Sequence, residues 1–170
     1  MKLKIAIVGA VAALAASALV SASLAGGSSA GRSTVNVTQS KLGHILVDSR
    51  GRTLYLFGKD KTGKSSCAGA CAGYWPPLLA ASRPTAGSGA KASLLGTIKR
   101  TDGSRQVTYK GHPLYLFVKD TKKGQTNGEE LNVFGAEWYA VSPAGAKIEK
   151  PEAASTSSDD SGGYQGYVGY

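Results

Sequence analysis

Gly51-Arg52-Thr53-Leu54-Tyr55-Leu56-Phe57-Gly58-Lys59-Asp60 returns 60 residues later as Gly111-His112-Pro113-Leu114-Tyr115-Leu116-Phe117-Val118-Lys119-Asp120, with seven of the ten positions identical. The register extends upstream without a gap, Gly43 matching Gly103 and Val47 matching Val107. Self-similarity at a fixed period marks one structural unit made twice. Within each copy, alternation puts Tyr and Phe on one strand face and the leucines (Leu54 and Leu56, Leu114 and Leu116) on the other. A strand apolar on both faces belongs in the middle of a packed structure. Tyr55, Phe57, Tyr115 and Phe117 are therefore core candidates. Asp60 and Asp120 fall where each strand gives way to a loop. There a carboxylate accepts backbone N–H bonds and fixes the exit. The competing reading joins the two aspartates as a pair for acid–base work or a cation. No histidine or nucleophile repeats with them, which favours the structural role.

Outward from this stretch the pattern stays β-like. Val35–Thr38, Ile45–Val47 and Leu54–Phe57 read as three short strands, with Gly43 and Gly51 in the turns between them. The second copy offers Leu95–Lys99, Gln106–Tyr109 and Leu114–Val118, with Asp102-Gly103 as a hairpin signal. Pro113, without an N–H, must begin its strand or lie at an edge. A tryptophan follows each copy, Trp75 in the first and Trp138 in the second. Glu137–Val141 reads as a further strand, whereas Pro76 and Pro77 bar Trp75–Leu78 from a regular central one. A short helical turn fits around Cys67–Tyr74, and no helix of normal length is evident. The expected fold is all-β: two pseudo-symmetric three-stranded meander repeats packed as a small sandwich or barrel. The expected domain spans 35–150, with repeat one at 35–79, repeat two at 95–143 and a linker at 80–93.

The flanks differ in character. Lys2, Lys4 and the apolar run from Ile5 to about Val20 read as a signal peptide over 1–25, with Ser23-Leu24-Ala25 as cleavage site. Residues 26–34 read as a flexible Gly/Ser-rich leader, and 151–170 as a disordered tail ending in Gly/Tyr-rich sequence. No other membrane segment is expected after cleavage, which makes the protein secreted, periplasmic or wall-associated. Residues 26–150 hold 18 Lys and Arg against 8 Asp and Glu, a balance of +10, while 151–170 carry −3. A basic exported domain is drawn to anionic envelope polymers. The basic residues are scattered, so no specific nucleic-acid binding is expected.

Cys67-Ala68-Gly69-Ala70-Cys71 holds the only two thiols. In an exported protein such a pair reads as a disulfide. The same spacing suits one soft metal ion, with copper the candidate and His112 or His44 as further ligand. No Gly-x-Ser-x-Gly elbow, P-loop or His-Glu-x-x-His occurs, so the sequence leans away from an enzyme.

Several motifs stand in a fixed order: Val47-Asp48 through Gly51-Arg52-Thr53-Leu54-Tyr55, Cys67-x-Gly69-x-Cys71, Trp75-Pro76-Pro77-Leu78, Gly111-x-Pro113-Leu114-Tyr115 and Trp138. In this the chain resembles a family of bacterial secreted repeats and predicted lipoproteins with a Tyr-x-(Phe/Trp/Tyr)-x-x-Asp motif, from about Gly43 to Gly145. The resemblance implies secretion and a duplicated β domain, and supplies no activity. The chain departs from it in lacking a lipobox cysteine. Three roles are left: an exported non-enzymatic domain of the cell envelope, structural or ligand-binding; a copper or redox protein using Cys67 and Cys71; and a basic adhesin for anionic polymers.

Overall fold

The computed structural model of the chain describes residues 33–150. The expected signal peptide, the leader up to Arg32 and the tail from Pro151 lie outside the described residues. Chain order is β1 (Thr34–Ser40), β2 (Gly43–Asp48), β3 (Tyr55–Phe57), helix α1 (Ala70–Tyr74), β4 (Thr85–Ala86), β5 (Leu95–Lys99), β6 (Arg105–Tyr109), β7 (His112–Pro113), β8 (Leu131–Val133) and β9 (Ala136–Ala140). They form three small sheets, ordered β2-β1-β4, β3-β9-β8 and β5-β6-β7. The architecture is all-β.

Local sequence explains the hairpins. The β5–β6 turn is set by Asp102, whose Oδ1 accepts the Ser104 N–H at 2.9 Å. Lys110 and Gly111 turn the chain from β6 to β7, both with positive φ (49° and 80°), the conformation a tight two-residue hairpin needs. In the first repeat Asp48 does the corresponding work. Its Oδ1 accepts the N–H groups of Arg50 and Arg52, both at 2.9 Å, and its Oδ2 pairs with the Arg52 guanidinium at 2.7 Å.

The two repeats exchange their ends. The Tyr-x-Phe strand of the first copy, β3, pairs with β9, which follows the second copy, so that Phe57 lies opposite Trp138. The Tyr-x-Phe segment of the second copy pairs with the residues that follow the first: Pro77 lies opposite Tyr115, Leu78 N–H donates to Leu114 O and Leu116 N–H to Pro76 O. At the crossing, Tyr55 and Tyr115 donate N–H to each other's carbonyl, both at 2.9 Å. That reciprocity is what a pseudo-two-fold between the copies requires.

Two expectations need correcting. Leu114–Val118 is not a regular strand. A single residue of it, Tyr115, forms bridges, to Tyr55 and Pro77, and Val118 already belongs to a turn. The cause lies in its partner, because Pro76 and Pro77 have no N–H to complete a ladder. The linker 80–93 is also more than a connection. It contributes β4, parallel to β1, and a 3₁₀ turn at Ala92–Leu94.

The alternation of the repeated strands sorts the core into two clusters. Leu54, Leu56, Leu114 and Leu116 pack with Leu46, Val107 and Val141 on one side. Tyr55, Phe57, Tyr115 and Phe117 pack with Trp75, Trp138 and both cysteines on the other. Cys67 and Cys71 form a disulfide, with Cα atoms 5.3 Å apart. It clamps the start of α1, and Cys71 O accepts the Trp75 N–H at 2.8 Å. So short a loop adds little global stability; its effect is to set the entry of Trp75 into the aromatic core.

Candidate functional site

The repeated aromatic residues build the centre of the molecule. Phe57 stacks on Trp138 at 4.1 Å, Trp138 on Trp75 at 3.9 Å and Trp75 on Phe117 at 4.2 Å between ring centroids. The stack therefore crosses the pseudo-two-fold, one Phe–Trp pair on each side. Tyr55 meets Trp75 edge-on at 5.3 Å, and Tyr115 meets Trp138 the same way at 5.1 Å. The T-shaped contacts are the geometry the ring quadrupoles favour, and the stacked ones add burial. Trp138 Nε1 donates to Val133 O at 3.3 Å, while Trp75 Nε1 is buried without a partner.

The aspartates of the motif are spent between repeats. Tyr55 OH donates to Asp120 Oδ2 at 2.5 Å, and Tyr115 OH donates to Asp60 Oδ2 at 2.6 Å. Each carboxylate also holds its loop: Asp60 Oδ1 accepts Ser66 N–H at 2.6 Å and Asp120 Oδ1 accepts Asn127 N–H at 2.9 Å. The sequence points to loop-fixing backbone bonds, and these span six and seven residues; the tyrosine partner sits in the other copy. Each aspartate is committed to a different tyrosine, an arrangement with no shared site for a cation. Burial raises the pKa of both carboxyls, against the opposing hydrogen bonds. Burial first, and the facing carboxylate second, raise both phenols.

Around these two pairs the halves differ. Arg100 lies beside Asp60 and Tyr115. Its Nη1 donates to Ser65 Oγ at 2.9 Å and Gln106 Oε1 at 2.6 Å, and its Nη2 to Cys67 O at 2.6 Å. Glu129 lies beside Tyr55 instead. Its Oε2 accepts the Ala140 N–H at 2.7 Å, and its Oε1 is buried without a partner. Neither Arg100 nor Glu129 carries a sequence signal, since both depend on which loops fold over the centre. Burial pushes the Glu129 carboxyl up to about 7, helped by neighbouring Glu130 and opposed by the Ala140 N–H and Lys150.

This has a pH consequence. The folded pKa of Glu129 lies above the unfolded value of about 4.5, so the native state binds the extra proton. Its contribution is fully present below about pH 4.5 and is lost as pH rises to about 7, up to about 3 kcal/mol. Glu129→Gln keeps an oxygen for the Ala140 N–H and cannot ionise. We expect it to raise Tm at pH 8 and leave it unchanged at pH 4. An unaltered Tm–pH profile would refute the assignment.

The proposed metal ligands do not assemble. The sulfurs of Cys67 and Cys71 are bonded to each other and offer no thiolate. His112 sits in β7 opposite Tyr109, and His44 is exposed in β2 opposite Gln39. Among the described residues no group of three or more His, Cys, Asp or Glu converges.

Among the described residues, one groove open to solvent lies against the stack, apolar and about 490 Å³ in volume; a second of the same volume lies at Lys41, Leu42 and 148–150. Buried Trp75 and Phe117 form the floor of the first, and Leu131 and Val133 one wall. Tyr74 and Phe134 stand at the rim, 54% and 39% exposed, with ring centroids 6.1 Å apart. Lys119 supplies the one charge in the lining. Three segments position it: the end of α1, the chain after the second Tyr-x-Phe, and the β8–β9 hairpin. The hairpin turn is Phe134-Gly135, both with positive φ (62° and 88°). Asn or Gly is the ordinary first residue of such a turn. A phenylalanine there is strained by about 1 kcal/mol. The sequence reading missed the groove, although Tyr74 and Phe134 lie in the segments that follow each copy of the ten-residue stretch, where the two halves differ.

A family model described as a secreted repeat of unknown function matches twice, over residues 36–79 and 96–142. The chain belongs to that family. The two matches fall one on each copy of the Tyr-x-Phe-x-x-Asp stretch, and the description agrees with the export expected from the sequence. No helix among the described residues is long and apolar enough to cross a membrane. No curated protein and no solved structure matches the chain. The family thus tells where the secreted repeat works, and its chemistry has to be read from the surface it presents.

Proposed function

We propose that this secreted repeat is a non-enzymatic binding module of the bacterial envelope, in which the duplicated motif is scaffold and the Tyr74–Phe134 groove is the ligand-facing surface. The observation that carries this reading is Phe134. An aromatic ring is held in a strained conformation at a turn, half in solvent, where it contributes little to the core. Lys110 shares the positive φ, so what marks Phe134 is the side chain kept there, an exposed aromatic ring beside exposed Tyr74 at a strained turn. The motif side chains support the scaffold half of the reading, since Tyr55, Tyr115, Asp60 and Asp120 are bonded to one another.

The test is sedimentation of the protein with isolated bacterial envelopes. Phe134→Asn supplies the residue the turn prefers, so its Tm should hold or rise by a few degrees, an effect of up to about 1 kcal/mol. Its envelope binding should fall about tenfold, the loss of one aromatic anchor. Unchanged binding would sink the reading. Salt separates it from the adhesin alternative, which the basic balance of 17 Lys and Arg against 8 Asp and Glu in residues 33–150 supports. Binding through the lysines to anionic polymers would drop steeply with ionic strength, whereas groove binding would not.

A further inference from the structure

We propose that the Gly/Tyr-rich segment 162–170 of this same chain docks in the Tyr74–Phe134 groove and occludes it, so that envelope ligands must displace it. The inference rests on the groove being a binding surface and concerns how that surface is regulated. Three observations point to this occupant. The first is where the described chain ends. Lys150 is fastened to Glu130 twice, its N–H to Oε1 at 2.8 Å and its Nζ to Oε2 at 2.9 Å. Glu130 directly precedes Leu131, a wall of the groove, so the chain leaves the described residues close to that wall, although Lys150 itself lines the second groove with Leu42 and Ile148. The second is reach. Tyr164 lies fourteen residues beyond Lys150, an extended span of about 46 Å. A domain of this length is about 35 Å across, so the segment can reach its own groove. A tether of this size gives a local concentration in the millimolar range, well above any second copy in dilute solution.

The third is chemistry. Tyr164, Tyr167 and Tyr170 recur every three residues among glycines, a rigid phenol on a backbone that permits close approach. The groove offers the exposed rings of Tyr74 and Phe134 over a buried floor of Trp75 and Phe117, where such rings gain both burial and quadrupole contacts. The tether carries Glu152, Asp159 and Asp160 with no base, against Lys119 at the groove and a basic body.

The experiment uses the full mature chain with Ser161→Cys bearing a nitroxide. The two native cysteines are joined, so the new thiol is the one that labels. In spin-labelled, ¹⁵N-labelled protein diluted into unlabelled, spin-free protein, the amides of Tyr74, Val133 and Phe134 should broaden. Tyr164→Ser/Tyr167→Ser/Tyr170→Ser should restore them and strengthen envelope sedimentation about threefold, the gain expected when most of the grooves are freed. Broadening confined to mixtures of ¹⁵N-labelled chains with spin-labelled ¹⁴N chains would place the segment on a second copy and overturn the proposal. Unbroadened groove signals would overturn it too. Phe134→Asn tells the two failures apart: if it abolishes envelope binding while the groove signals stay sharp, the docking falls and the binding surface stands. If the groove signals broaden and envelope binding ignores Phe134→Asn, the docking stands and the binding reading falls.

Discussion

Trp138→Ala is expected to destabilise the domain by about 3–5 kcal/mol, the range for removing a fully buried tryptophan. For a domain of this size that corresponds to a fall in Tm of about 10–20 °C. Trp138 is 0% exposed and touches the centre from three directions. It stacks between Phe57 and Trp75, receives the edge of Tyr115 and donates to Val133 O. The surroundings cannot collapse into the space, because its neighbours are themselves clamped, Trp75 by the disulfide turn and Phe57 by the β3–β9 ladder. Marginal stability is about 5–15 kcal/mol for a whole domain, so this one ring stands for a large share. Guanidinium unfolding with the disulfide intact measures it directly. A loss under about 1 kcal/mol, below any buried-aromatic deletion, would mean that the stack is not the organising core.

The aromatic centre was half legible in the sequence, and the reason is periodicity. Alternation alone sends Tyr55 and Phe57 one way and Leu54 and Leu56 the other, and the two clusters divide along that line. The need for irregular backbone at Pro76 and Pro77 was also legible, since it follows from missing N–H groups. Its consequence for Leu114–Val118 was not, because a strand is made by its partner. The exchange between copies escaped for the same reason. An internal repeat shows that two units exist, and says nothing of whether β3 pairs within its own unit or with the other. Glu129 and Arg100 owe their burial to loops that fold over the centre, a tertiary effect without a local signature. Phe134 was invisible for a different reason. Its turn breaks the Asn-Gly rule that makes hairpins readable, as Lys110-Gly111 does too, and what singles Phe134 out is an exposed ring set beside Tyr74.

The exchange itself makes the second large prediction. Tyr55→Phe removes the donor to Asp120 and leaves a buried carboxylate oxygen unpaired, at about 2 kcal/mol. Asp120→Ala strands the phenol and the Asn127 N–H, at about 3 kcal/mol. In the double variant neither partner waits for the other, so the two losses should fall short of their sum by about 1–2 kcal/mol. The informative control is the pair within one motif, Tyr55→Phe with Asp60→Ala. Tyr55 and Asp60 share no hydrogen bond, and Asp60 answers to Tyr115. Their losses should add to within about 0.5 kcal/mol. If the coupling lies within a motif, each Tyr-x-Phe-x-x-Asp is a self-contained cap and the repeats merely sit together. If it lies between motifs, each repeat supplies the half of the buried pair that the other lacks. In that case one copy alone leaves a tyrosine and an aspartate without partners. The duplication is then a condition of folding, and the tyrosine and aspartate repeated 60 positions apart are those that bond across the pseudo-two-fold.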